Sequence, residues 1–197
     1  MKQLSLLMIC LIALFMWSHF IRKSIYLTKV KSSIDNKEYM VRPLPDKQEA
    51  ADRLATLNQS LRRLCDHCVT VSQGKDEEAI KDANRLSRNY KGERIIEHIP
   101  GNRFVAHSVD KGRELSICIR DKKTNAFIDT NTVHFVAIHE LAHLMTVSIG
   151  HPPEFWKNMK YLLEQAESIG LYTRVNYAES PVDFCGMKID SSPLFSK

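Results

Sequence analysis

Residues 132–156 read TVHFVAIHELAHLMTVSIGHPPEFW, and the placing of His139, Glu140 and His143 in that stretch decides how the rest of the chain is read. Positions i and i+4 of an α-helix share a face, so His139 and His143 can offer both imidazoles to one metal ion. Glu140, beside them, is placed to take a proton from a water that such an ion has acidified to a pKa of about 7. Val133, Phe135, Val136, Ile138, Leu141, Ala142, Leu144, Met145 and Val147 make the helix apolar over most of its surface, as a buried helix is. Two histidines and a glutamate are costly inside such a helix unless they are paired or ligated. The competing reading is a pair of hydrogen-bonded core histidines with a surface glutamate.

A catalytic zinc takes three protein ligands and a water. The pattern HExxHxxGxxH would need Gly at 146 and His at 149, where the chain has Thr146 and Ile149. Glu164 or Glu167 on a following helix is one source of a third ligand. His151 is the better one, because Gly150 is expected to end the helix and Pro153 to open the next, so the chain reverses beside the metal. His134, five residues before His139, faces another way and is excluded as a ligand.

The arrangement resembles the WLM-domain zinc metallopeptidases and, more distantly, the SprT-like (Spartan) peptidases. HELAH at 139–143 corresponds to the zinc helix, and His151 with Pro152, Pro153, Glu154, Phe155 and Trp156 resembles the third histidine followed by an aromatic pair. The run LSICIRD at 115–121, with Phe127 after it, looks like the strand and loop that precede that helix. The resemblance covers about residues 46–170. It implies an α+β, zincin-like domain with Zn2+ held by His139, His143 and His151, and Glu140 as the catalytic residue hydrolysing peptide bonds in protein substrates. A membrane-tethered binding module without activity, or a hydrolase of a non-peptide bond, are the alternatives; the intact Glu140 argues against the first.

Residues 4–21, LSLLMICLIALFMWSHFI, contain no Asp, Glu, Lys or Arg. As a helix they would span about 27 Å, close to the roughly 30 Å hydrocarbon core of a bilayer. Residues 1–22 are therefore expected to be an uncleaved membrane anchor, with one transmembrane helix. Arg22, Lys23, Lys29 and Lys31 follow it and only Lys2 precedes it, so the positive-inside rule places the catalytic domain in the cytosol. The net charge of +5 resides wholly in residues 1–47, while residues 48–197 hold 20 basic and 20 acidic side chains. A basic juxtamembrane linker over residues 23–45 can meet anionic lipid. No nucleic-acid groove is indicated by charge. Five cysteines, one of them Cys10 in the anchor, show no obvious disulfide framework.

Pro43 and Pro45 close the linker, so the globular part, residues 46–197, is expected to begin near Asp46. Asp46 and Glu49 suggest a capping box. Ala50, Leu54, Leu57, Leu61, Leu64 and Cys68 then mark one face of an amphipathic helix. Cys65 and Cys68, one turn apart, read as ordinary helix packing. A shorter helix is expected over about 76–90. Strands are expected at 94–99, 103–109 and 114–120, separated by Pro100-Gly101 and Asp110-Lys111-Gly112, giving a small, mainly antiparallel sheet under the helices. The strand at 114–120 is the expected partner for extended substrate. A last helix runs from Glu154 to Ser168 and ends at Gly170. Beyond it, Tyr172 and Tyr177 could hydrogen-bond a developing oxyanion, or simply pack in the core.

Overall fold

A computed structural model of the chain describes residues 25–92, 95–99, 106–109 and 114–195. The segment 4–21, expected to cross a membrane, lies outside the described residues. Among those residues no helix is long and apolar enough to do so.

Among the described residues four helices pack with a small five-stranded sheet. Helix α1, Lys47–Ser72, buries the stripe expected of it: Ala50, Leu54, Leu57, Leu61, Leu64 and Cys68 are all in the core. Its start is held differently from the expected capping box. Asp46 makes no side-chain cap, because its carboxylate accepts two bonds from Arg120, at 2.7 Å and 2.8 Å. A charge-assisted fork outcompetes a single backbone amide. Helix α2, Glu77–Asn89, is capped by Asp76, whose Oδ1 accepts from the Ala79 amide at 2.8 Å.

The sheet takes the order β1-β2-β3-β5-β4, formed by Thr28–Lys31, Glu38–Val41, Ile95–Glu97, Glu114–Ile117 and Ala106–Val109 respectively. The pairs β1–β2 and β4–β5 are antiparallel, whereas β2–β3 and β3–β5 are parallel. The sheet is therefore mixed rather than mainly antiparallel. A parallel pair needs a long crossover, and α1 with α2 supplies it between β2 and β3. The two strands β1 and β2 also lie in the stretch expected to be a linker, so the folded part begins well before Asp46. Asp52 on α1 binds their turn, accepting from Ser32 Oγ at 2.6 Å, the Ser33 amide at 2.7 Å and Ser33 Oγ at 2.9 Å.

Arg120 is 2 % exposed and joins the sheet to α1. Besides gripping Asp46, its Nε donates to Glu97 Oε1 at 3.0 Å, while Glu97 Oε2 accepts from the Arg42 amide at 2.8 Å. Phe127 lies between the Arg120 and Arg53 guanidiniums, 4.0 Å and 4.2 Å from its ring centroid.

Helix α3, Thr130–Met145, is the central helix, with twelve of its sixteen residues buried. It packs on α2 and α4 and on strand β4. Helix α4, Pro153–Ser168, starts with Pro at its first turn as expected. The C-terminal hairpin joins β6, Val182–Phe184, to β7, Met187–Ile189. Its two-residue turn, Cys185-Gly186, has φ of 52° and 85°, the paired positive values that a type I′ turn requires. Cys185 is disulfide-bonded to Cys118, just past the end of β5, with Cα atoms 6.4 Å apart and 67 positions between them in sequence. Spacing could not show this pairing, since it joins two distant segments. Cys65 and Cys68 are buried free thiols in the core, as ordinary packing residues are; burial pushes the Cys68 thiol up to about 12.

Candidate metal centre

The terminus of α3 fixes the site. The expected helix end at Gly150 is displaced to Met145, with Thr146 already extended. The orphan carbonyls of the last turn are taken by neighbouring side chains: Arg85 donates to the Met145 oxygen at 2.7 Å and Asn89 to that of Leu144 at 2.9 Å. Thr146 Oγ1 accepts from Asn158 of α4 at 3.0 Å. Glu154 then closes the connection, accepting from the Val147 amide at 3.0 Å and Ser148 Oγ at 2.9 Å. Gly150, at φ 84°, makes the reversal that returns His151 to the helix.

His139, His143 and His151 converge. Nε2 of His151 lies 3.2 Å from that of His139 and 3.1 Å from that of His143. Four nitrogens placed tetrahedrally about a zinc at the usual 2.0–2.1 Å would be separated by about 3.3 Å, and the two separations from His151 match that edge. Burial, and then the neighbouring His143 and His151, push the His139 pKa down to about 3. His143 falls to about 4, through burial and then His151. Both rings are thus neutral at physiological pH and keep a lone pair for a cation. Neutral rings set nitrogen against nitrogen gain most from an ion between them, and the donor set fits zinc.

Phe155, fully buried at the start of α4, forms a floor that touches all three rings, with centroid separations of 4.9 Å, 4.5 Å and 4.5 Å to His139, His143 and His151. The sequence reading named Phe155 only as part of an aromatic pair; its supporting role depends on the α3–α4 packing. Glu140, 6 % exposed, lines the same cavity of about 810 Å³ as the three histidines. Glu164 is exposed on α4 and does not line it, and Glu167 is paired with Arg174 at 2.7 Å. His134 is buried and lines a different cavity, of about 500 Å³. Tyr172 and Tyr177 pack against Phe135, with ring centroids 6.0 Å and 4.7 Å away, and neither lines the cleft. Their core reading is the one the structure supports.

The strand expected to receive substrate is also displaced. Strand β5 is interior, paired to β3 on one side and β4 on the other, so both of its hydrogen-bonding edges are taken. Among the described residues the edge strands are β1 and β4, and Ala106 of β4 lines the cleft.

The chain is similar to several known proteins. The WLM domain matches residues 86–183. An uncharacterized protein of Acanthamoeba polyphaga mimivirus is 32% identical over 165 residues, which cover 84% of this chain and 83% of that protein. An uncharacterized protein of Invertebrate iridescent virus 6 is 39% identical over 62 residues, 30% of this chain and 35% of that one. Among solved structures, Wss1 from Saccharomyces cerevisiae aligns at 19% identity and a TM-score of 0.45, covering 66% of this chain and 90% of that chain. The chain belongs to the WLM-domain family.

Proposed function

We propose that this protein is a membrane-anchored zinc metallopeptidase of the HExxH type that hydrolyses peptide bonds in protein substrates. The observation that carries the reading is the convergence of three imidazoles, with His151 Nε2 3.2 Å and 3.1 Å from those of His139 and His143 and all three ligand atoms within 4.8 Å of one another, beside the buried Glu140 in one cleft. A zinc ion bound there would supply Lewis acidity, polarising the scissile carbonyl and acidifying a water. His139, His143 and His151 hold that ion, and Phe155 holds the three rings in register. Glu140 takes the proton from the attacking water and returns it to the leaving amine, so one carboxylate serves as base and then as acid. The edge of β4 that no described strand pairs with offers backbone groups to an extended substrate, which favours peptide over other bonds. Anchoring rests on residues 4–21, whose composition suits a bilayer.

The test is hydrolysis of an unfolded protein by the full chain in detergent, before and after a chelator and again after zinc is returned. Activity should vanish and then recover. Turnover indifferent to the chelator would overturn the reading.

A further inference from the structure

The cleft that holds the three histidines is apolar over most of its lining, and three of its large apolar side chains stand in solvent. Ile149 is 95 % exposed, Met187 50 % and Trp156 43 %. Apolar side chains of that size gain by leaving water, so three around one concavity mark a surface where something binds. They come from separate segments: Ile149 from the connection after α3, Trp156 from α4, and Met187 from β7. Phe135 and Leu144 of α3 continue the apolar surface inward.

The Met187 wall is built rather than loose. Phe184 beside it is fully buried, and Cys185 is covalently fastened to Cys118 just past the end of β5. The type I′ turn aims the following strand, and Ile189, Asp190, Ser191 and Pro193 carry the wall onward along the cleft. Most of this wall lies beyond residue 183, where the WLM match ends. Lys188 and Asp190 also line it with opposite charges, so it offers no net charge to select by.

We infer that Met187, Ile149 and Trp156 determine specificity, and that the cleft takes extended peptide carrying a bulky aliphatic or aromatic side chain next to the scissile bond. Such side chains are buried in folded proteins, so the substrate class is unfolded or locally opened chain. This rests on the peptidase reading above, for which the occupant of the cleft is the substrate itself.

The experiment uses the full chain in detergent, loaded with zinc, and two peptides of equal length that differ only in bearing Leu and Phe or Ser and Asp beside the central bond. Cleavage is measured with the native chain, and binding by fluorescence anisotropy with Glu140→Gln. The apolar peptide should be preferred by about tenfold or more in both, the scale of a side-chain discrimination in an apolar pocket. Met187→Lys should bring that ratio towards one with zinc content unchanged, and Met187→Leu should keep it. Equal handling of the two peptides by the native chain, or a ratio unmoved by Met187→Lys, overturns the inference. So does sedimentation showing that the apolar rim is covered by a second copy of the chain. Selective binding with no chelator-sensitive cleavage leaves the inference standing and removes the peptidase reading instead.

Discussion

Three imidazoles and one carboxylate divide the chemistry of the cleft, and single substitutions should separate their roles. Glu140→Gln removes the proton acceptor and leaves all three nitrogens in place. Hydrolysis should fall by about 10²- to 10⁴-fold, the usual scale of general acid–base catalysis, with zinc content unchanged by metal analysis. His151→Ala removes one corner of the nitrogen triangle and should lose zinc on dialysis at neutral pH. Glu164→Ala, altering an exposed residue away from the cleft, should keep it. The two histidines on α3 were legible because helical periodicity alone puts them on one face. His151 was legible from the Gly-His-Pro-Pro run, although the helix ends at Met145, five residues before the Gly150 that makes the reversal. Phe155 as the floor was not legible, since its place beneath three rings depends on how α4 packs.

The elements around the site were read unevenly, for a physical reason. Helices α1 to α4 announce themselves through apolar positions three and four apart. The strands carry three or four residues each, and β3 is buried at all three of its positions, so the alternation that would give away a face is missing. Their order was illegible because pairing β3 with β5 skips the strand between them. The Arg120 network that ties this sheet to α1 was missed for a similar reason, its partners being 23 and 74 positions away. Arg120→Met strands Glu97 in the core and should cost about 3–5 kcal/mol in urea unfolding, and adding Glu97→Leu should recover much of the loss. The turn between β1 and β2 makes a prediction in acid. The Ser32 hydroxyl, followed by Ser33, holds the Asp52 carboxyl below its ordinary 3.8 against the opposing effect of burial. A carboxyl with a depressed folded pKa contributes stability that is complete above about 3.8 and is lost as pH falls through the folded value. The advantage of the native chain over Asp52→Asn in thermal unfolding should therefore be larger at pH 7 than at pH 3.

At the scale of the molecule, two features bear on which side of a membrane the domain occupies. The basic residues after the proposed anchor favour the cytosol, while a bond between Cys118 and Cys185 persists best in an oxidising compartment or a virion. The charge argument predicts that protease added to sealed cells leaves the domain intact; digestion would put it on the oxidising side. The early start of the folded part was hidden because β1 reads TKVK and β2 is only four residues long and sits just before two prolines, and it means that a fragment beginning at Asp46 would lack two strands of its sheet. The disulfide has a consequence of another kind. Helices α3 and α4, the connection between them, all three histidines and Glu140 lie between positions 118 and 185, inside a covalent ring. A ring cut once does not come apart. A peptidase is the first protein its own active site meets, and a nick anywhere between Cys118 and Cys185 would leave two new ends but still one molecule, with the metal ligands joined through sulfur.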